Sequence, residues 1–283
     1  MYSNNLQICF TNEIGFSEKV NAREGDMIKD LIGKLRYAPK EVYAVIINNR
    51  LHSVYHKVEV DCECRFVTYS SFQGRKMYEA TLKFLFYIAM RILYPNVKFK
   101  CANKMGADVL IHLKDKSCDI DISKVVYLIC DIIASEEDIL SKRVRRDKLI
   151  DIYFNMGHEC KLDINNPFED DYKVSFIKYD GQVYYNYLYE RLLPNTSMLH
   201  SFRIERYNGD ILIRMPTVRS SSVCDTEITS SKCFELFNSN LNFGIEYLSD
   251  LNHKVINSEG VNIIRLAEEA QTMKFVEITQ IVI

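Results

Sequence analysis

Residues 76–95 read KMYEATLKFLFYIAMRILYP, the most apolar part of the chain, and what this stretch becomes decides the fold. Three readings compete: a membrane span, a core helix, or the floor of a binding site. A span needs roughly 20 apolar residues, and here the run from Phe84 to Met90 is bounded by Lys83 and Arg91, both expensive near a bilayer centre. The membrane reading fails. Leu82, Leu85, Phe86, Ala89, Met90 and Leu93 fall at helical spacing, and Tyr94-Pro95 ends the pattern because a proline disfavours helical geometry in the residue before it. The stretch is expected to be a core-facing helix of about five turns.

Composition bounds the rest. The chain has 283 residues, 36 basic and 38 acidic, for a net charge of −2, so no global field advertises nucleic acid or a membrane surface and any anion site must be local. With 47% hydrophobic residues the chain can bury a large core, and its length suits two domains or one with an appendage. Nine cysteines, an odd number without a C-x-x-C pair, fit a reduced protein better than a disulfide framework or zinc knuckle. The N-terminus MYSNNLQICFTNEIGF has no basic head followed by a sustained apolar run, so a cytoplasmic location is expected.

Outward from the central helix, the N-terminal side reads as strands. LQICF (6–10) and FSEKV (16–20) form an expected hairpin around Asn12 and Gly15, and Met27 to Leu35 is helically spaced with Asp26 as its cap. VYAVIINNRL (42–51) and ECRFVTY (63–69) follow as two further strands. On the C-terminal side, VKFK (97–100) and DVLIHLK (108–114) read as strands around Lys104-Met105-Gly106, and 121–134 as a helix. A strand is expected from Ile139 to Val144, then a short helix over 147–157 with Gly157 as C-cap. FRIERY-NG-DILIRMP (202–216) is a two-residue hairpin, because a type I′ turn needs positive φ at both central positions and Asn-Gly supplies it. Residues 220–232 read as a polar linker, and 232–250 and 259–273 as terminal helices, the second capped by Ser258.

The candidate chemistry is sparse. Gly33-Lys34 lacks the glycine spacing of a phosphate cradle. His52-x-x-x-His56 has metal-site spacing, but on an extended strand the rings would stand about 13 Å apart, so no metal site is expected. His158-Glu159-Cys160 reads as an exposed loop, and His112, His200 and His253 are isolated, so no nucleophile and base can be paired. Lys142 to Lys148 carries five cations in seven residues. On a strand Arg143 and Arg145 share a face, which with Arg146 makes either a phosphate-facing stripe or a solvated edge. Tyr185, Tyr187 and Tyr189 would likewise line one face, either stacking on bases or covering a core.

The strand, helix and strand order of residues 1–69, with VIINNRL, resembles a TGS domain, the ubiquitin-like β-grasp module found at the front of threonyl-tRNA synthetases and in several GTPases and kinases. Residues 72–216 resemble the editing-type domain of threonyl- and alanyl-tRNA synthetases: a long helix ending in Tyr-Pro, a strand hairpin, a second helix and a later proline-marked segment. That family uses a helical H-x-x-x-H and a later C-x-x-x-H. Aligned on Tyr94-Pro95, the helical pair falls at Ala80 and Phe84; aligned on Pro194, the later pair falls at Leu188 and Leu192. None of these side chains can ligate a metal or move a proton, so the resemblance implies the editing fold without its hydrolysis. The series SSFQGRKMY, LYP, LLPNT, ILIRMP, KCFELF and IIRLAEEAQ is similar to the pre-kinase half of bacterial uridine kinase-like proteins. The kinase domain of those proteins is expected at about the point where this chain stops, ITQIVI (278–283).

The expectation is therefore an α+β protein: a β-grasp, TGS-like domain over 1–70, a degenerate two-layer editing-type domain over 71–219, and a linker with terminal helices over 220–283. It should act as a non-catalytic regulatory or binding module with no catalytic residue, no metal and no cofactor of its own. ATP and Mg would belong to an attached nucleoside kinase domain. The partners expected are a nucleotide, RNA or the kinase domain itself, with Arg143, Arg145 and Arg146 on phosphates and Tyr185 and Tyr187 as stacking platform. The alternatives are an editing-like hydrolase of aminoacyl esters and a structural role in which the tyrosine-rich face is an interface.

Overall fold

The computed structural model describes residues 5–12, 15–105, 108–155, 171–185 and 190–216, with positions 265, 268, 271 and 272, which are helical. It is a mixed α+β structure with several sheets and few helices. The chain divides into two compact units, Met1–Ser141 with Ser175–Ile228, and Lys142–Val174 with Thr229–Ile283.

In the first unit, β1 (Asn5–Thr11) and β2 (Ser17–Arg23) pair antiparallel, as their alternation predicts. Leu6, Ile8 and Phe10 face one side and are buried, because residues two apart share a face. The short α1 (Ile28–Ile32) follows, but Asp26 does not cap it. Its carboxylate accepts the N–H of Arg23 at 3.0 Å and closes a turn, while Met27 stands at the N-cap without a side-chain bond.

VYAVIINNRL also departs from expectation. Instead of one strand it makes two, β3 (Ala44–Ile47) and β4 (Arg50–Ser53), because Asn48 and Asn49 take φ of 51° and 60° and turn the chain back on itself. With β5 (Cys62–Val67) these strands complete a five-stranded sheet in the order β2-β1-β5-β3-β4. Its β1 and β5 run parallel.

The stretch that opened the sequence is α2 (Phe72–Leu93). Ser71 caps it, its Oγ accepting the Gly74 N–H at 3.0 Å, and the helix stops before Tyr94-Pro95 as predicted. Gly74 is required by space: a Cβ there would lie 1.9 Å from the Thr68 carbonyl oxygen. Every residue from Met77 to Met90 is buried, so the helix is enclosed on all sides rather than on one stripe. Full burial of a side chain such as Leu82 or Phe86 contributes about 1.5–3 kcal/mol each.

A second sheet of the first unit, β11-β12-β7-β6, is built from β6 (Phe99–Met105), β7 (Asp108–Leu113) and the Asn-Gly hairpin β11 (Arg203–Tyr207) and β12 (Asp210–Arg214). Asn208 and Gly209 have φ of 50° and 83°, the geometry their sequence demands. The helix α3 (Ile122–Ala134), capped by Asp121, packs against α2. A third sheet has the order β10-β9-β8: β8 (Leu140–Arg145), β9 (Asp171–Tyr179) and β10 (Gln182–Tyr185). The hairpin of β9 and β10 turns at Asp180-Gly181, with φ of 46° and 71°. In the second unit α4 (Arg146–Asn155) follows β8 directly. Gly157 and the expected terminal helices lie outside the described residues, apart from the four helical positions named above.

Candidate functional site

A buried hydrogen bond joins α2 to the segment 190–196: the Thr81 hydroxyl accepts the Leu193 N–H at 2.8 Å while donating to the Met77 carbonyl. Thr81 is fully buried, so this bond fixes how the two chain segments lie together. Ala80 and Phe84 are both 0% exposed and Leu192 is 7% exposed. Leu188 lies outside the described residues. Ala80, Phe84 and Leu192, the positions expected to replace the editing histidines, are thus packed core.

Polar chemistry at the floor lies one residue away, where the sequence reading did not look. Lys83 Nζ sits 3.2 Å from Glu79 Oε1 and 4.0 Å from Glu190 Oε1. Lys83 and Glu79 are enclosed, their side chains 10% and 9% exposed, whereas Glu190 is 45% exposed and opens the cluster to solvent. The signal was present in the sequence as Glu79-x-x-x-Lys83, an i,i+4 pair inside an apolar run where charges are buried only when paired. An ammonium between carboxylates can orient a polar ligand, but it supplies no nucleophile.

Around this floor the phenols act as struts. Tyr78 donates to the Ser201 carbonyl at 2.8 Å and accepts the Ser201 N–H at 3.0 Å, and burial pushes its pKa up. Tyr69 donates to the Pro216 carbonyl, stacks edge-on against Tyr78 and is pushed by burial to about 12.

Two histidines read as isolated have carboxylate partners. His112 Nδ1 lies 3.2 Å from Asp210, whose fully buried carboxylate also takes the Leu113 N–H and faces Lys116 at 3.3 Å. His200 meets Glu41. Neither imidazole has a serine or cysteine within hydrogen-bond reach among the described residues, so no nucleophile and base pair forms there. His52 and His56 also depart from expectation. Their ring centroids are 4.3 Å apart rather than the width of an extended strand, because the chain turns at Ser53. No group of three or more metal-ligating side chains occurs among the described residues.

The arginine stripe is on the second unit. Arg143 and Arg145 flank the buried Val144 and are exposed on one face, as predicted, with Arg145 Nε 3.6 Å from Asp147. Arg146 begins α4 and is half-buried. Tyr185 belongs to the first unit, where it ends β10 half-buried and packs on Phe176 with centroids 5.9 Å apart. Tyr187 and Tyr189 lie outside the described residues.

A concave surface is found on the five-stranded sheet. A cleft of about 570 Å³ opens between Phe16, Phe66, Arg36 and Tyr37, with Ser70 and Ser71 on its wall. The Phe16 and Phe66 rings are stacked at 6.3 Å, and Tyr37 is 77% exposed. Sequence reading missed this site because its parts come from three separated segments, 12–16, 36–39 and 66–71. No helix among the described residues is long and apolar enough to cross a membrane.

No family model matches the chain. Its similarity is to threonine–tRNA ligases: that of Finegoldia magna, 19% identical over 48% of this chain and 22% of that protein; of Xanthomonas campestris pv. campestris, 23% identical over 60% and 27%; and of Prochlorococcus marinus, 22% identical over 58% and 26%. The chain matches about a quarter of the length of these relatives.

Proposed function

We propose that this chain is a binding module of the threonyl-tRNA synthetase N-terminal type, a TGS-like β-grasp followed by an editing-type domain that has lost hydrolysis, and that it regulates a uridine kinase-like nucleoside kinase by binding a nucleotide or RNA. The carrying observation is the closed floor: Ala80 and Phe84 have no exposed surface, so an ester carbonyl has no seat beside them. The distant similarity to threonine–tRNA ligases supports the origin of the fold. The series SSFQGRKMY to IIRLAEEAQ supports the kinase link.

Two surfaces suit an anionic, aromatic ligand. The exposed Arg143 and Arg145, with Arg146, provide phosphate contacts whose strength falls with salt. The cleft provides a stacking ring at Tyr37 and a guanidinium at Arg36. Titration of the chain with uridine and adenine nucleotides and with a short RNA, at two salt concentrations, tests the reading. Arg143→Gln, Arg145→Gln and Arg146→Gln together should weaken RNA binding at least tenfold, and Arg36→Gln should weaken a mononucleotide. Unchanged affinity in both variants, or no binding at millimolar ligand, overturns the proposal.

One observation favours a second reading, an editing-like hydrolase. The Glu79, Lys83 and Glu190 cluster retains charge beside the floor and is open at Glu190. Deacylation of mischarged tRNA that survives chelation and is lost in Glu190→Gln would establish it in place of the first.

A further inference from the structure

The turn that brings His52 and His56 together is fastened by several backbone hydrogen bonds. His52 lies on β4, in register opposite Val45. After Ser53 the chain reverses, with His56 N–H donating to the Ser53 carbonyl at 3.0 Å. The N-terminal end of α1 then clamps the returning segment: Ile28 N–H donates to the His56 carbonyl at 3.0 Å and Lys29 N–H to the Val54 carbonyl at 2.8 Å. Val54 and Val58, on either side of His56, are buried at 4% and 2% exposure and anchor the turn in the core. The two imidazoles are half-buried and reachable from solvent, yet the backbone carrying them is held on both sides.

We propose that His52 and His56 form a two-imidazole binding site for a borderline divalent transition-metal ion of the zinc, nickel or copper class. The inference is independent of the function proposed above. With metal–nitrogen bonds of about 2.0–2.1 Å, a ring centroid stands about 3.2 Å from the metal, so two rings at angles of roughly 90–110° have centroids about 4.5–5.2 Å apart. The observed separation is 4.3 Å with the planes inclined at 46°, just short of that range. Imidazole is the side chain that these ions share as a ligand. Two protein ligands leave coordination positions open to water or to a donor group on a bound partner, the arrangement of an accessible site rather than a closed structural one. A rigid turn lowers the ordering cost of binding, which is where two ligands alone ordinarily fail.

The experiment uses the full chain without an affinity tag, titrated separately with Ni(II) and Zn(II) under reducing conditions without chelator and followed by calorimetry. His52→Ala, His56→Ala and the double variant are titrated alongside. The expected result is one ion per chain in the micromolar range, weakened at least tenfold by either substitution and lost in the double variant, whose circular dichroism without metal stays that of the parent. Binding of equal stoichiometry and affinity in the double variant would place the ion on the cysteines and overturn the proposal, as would no binding at 1 mM. A measurement without substitutions runs in parallel: modification of histidines by diethylpyrocarbonate, mapped by mass spectrometry. Metal should protect His52 and His56 and leave His200 reactive; equal modification with and without metal overturns the site even if a variant fails to fold.

Discussion

Thr81 accepts the N–H of Leu193, 112 residues later in the chain, at 2.8 Å inside a fully buried environment. The contact is the hinge of the candidate site: it sets α2 against the segment that also carries Leu192 and Glu190. Thr81→Val keeps the shape and removes the acceptor, leaving the Leu193 N–H unpaired. A buried donor without a partner costs about 1–3 kcal/mol. Urea unfolding should show a lower midpoint with an unchanged slope, and Thr81→Ser, which restores the hydroxyl, should recover most of the loss in hydrogen bonding. A Thr81→Val protein as stable as the parent would mean that the Leu193 N–H finds another acceptor.

Gly74→Ala tests the junction between β5 and α2. The added Cβ would meet the Thr68 carbonyl oxygen at 1.9 Å, which is backbone and cannot swing aside. Helix propensity alone favours alanine by about 1 kcal/mol, so the sign of the outcome decides which effect wins. We expect destabilisation of about 3 kcal/mol or more, as overpacking against a fixed backbone predicts, read as a fall in thermal midpoint. An increase would show that the junction relaxes.

How much of this was legible depended on the range of the forces involved. The helix 76–95 and the Asn208-Gly209 hairpin were readable because period, proline and turn chemistry act within a few residues. The second hairpin at Asp180-Gly181 carried the same kind of signal and was passed over in favour of the tyrosines around it. Asn48-Asn49 was harder, since asparagine permits positive φ without requiring it, and only pairing with β4 reveals the turn. The site itself was least legible. That Ala80 and Phe84 carry no chemistry could be read from their identity, but the neighbouring ion pair of Lys83 with Glu79 reaches Glu190 only through tertiary packing. Strand geometry would hold the rings of His52 and His56 far apart, and a single turn at Ser53 brings their centroids to 4.3 Å instead.

Lys83 tests whether the floor cluster is structural. Lys83→Met takes the ammonium away from the buried Glu79, and Glu79→Leu leaves Lys83, among the described residues, facing the more distant and exposed Glu190. Breaking a buried pair from one side costs about 3–5 kcal/mol, whereas replacing both partners with apolar groups is often neutral. Lys83→Met should therefore be strongly destabilising and the double substitution Glu79→Leu with Lys83→Met markedly less so, a coupling measurable in a double-mutant cycle. Additive losses would show that the charges do not depend on each other.

Asp138 and Tyr55 give the first unit opposite sensitivities at the two ends of the pH scale. The Asn195 amide donates to Asp138 Oδ1 at 3.0 Å and the Tyr55 hydroxyl at 2.9 Å, and these bonds, the amide first, hold the carboxyl below its ordinary value. A carboxyl with a lowered folded pKa contributes stability above its unfolded value of about 3.9, and that contribution is lost as pH falls through the folded value. For Tyr55 the sign reverses: burial, then the bond to Asp138, pushes its phenol to about 12. Its contribution is present below about pH 10 and is lost as pH rises through 12. Asp138→Ala should therefore flatten both limbs of a stability–pH profile, removing part of the acid loss below pH 4 and part of the alkaline loss above pH 10. Tyr55→Phe should flatten chiefly the alkaline limb. Because Asp138 is exposed, the acid effect should also shrink in high salt. Denaturant midpoints measured from pH 2 to pH 12 at two ionic strengths provide the check, and parallel profiles for Asp138→Ala and the parent would dismiss the coupling between these two side chains.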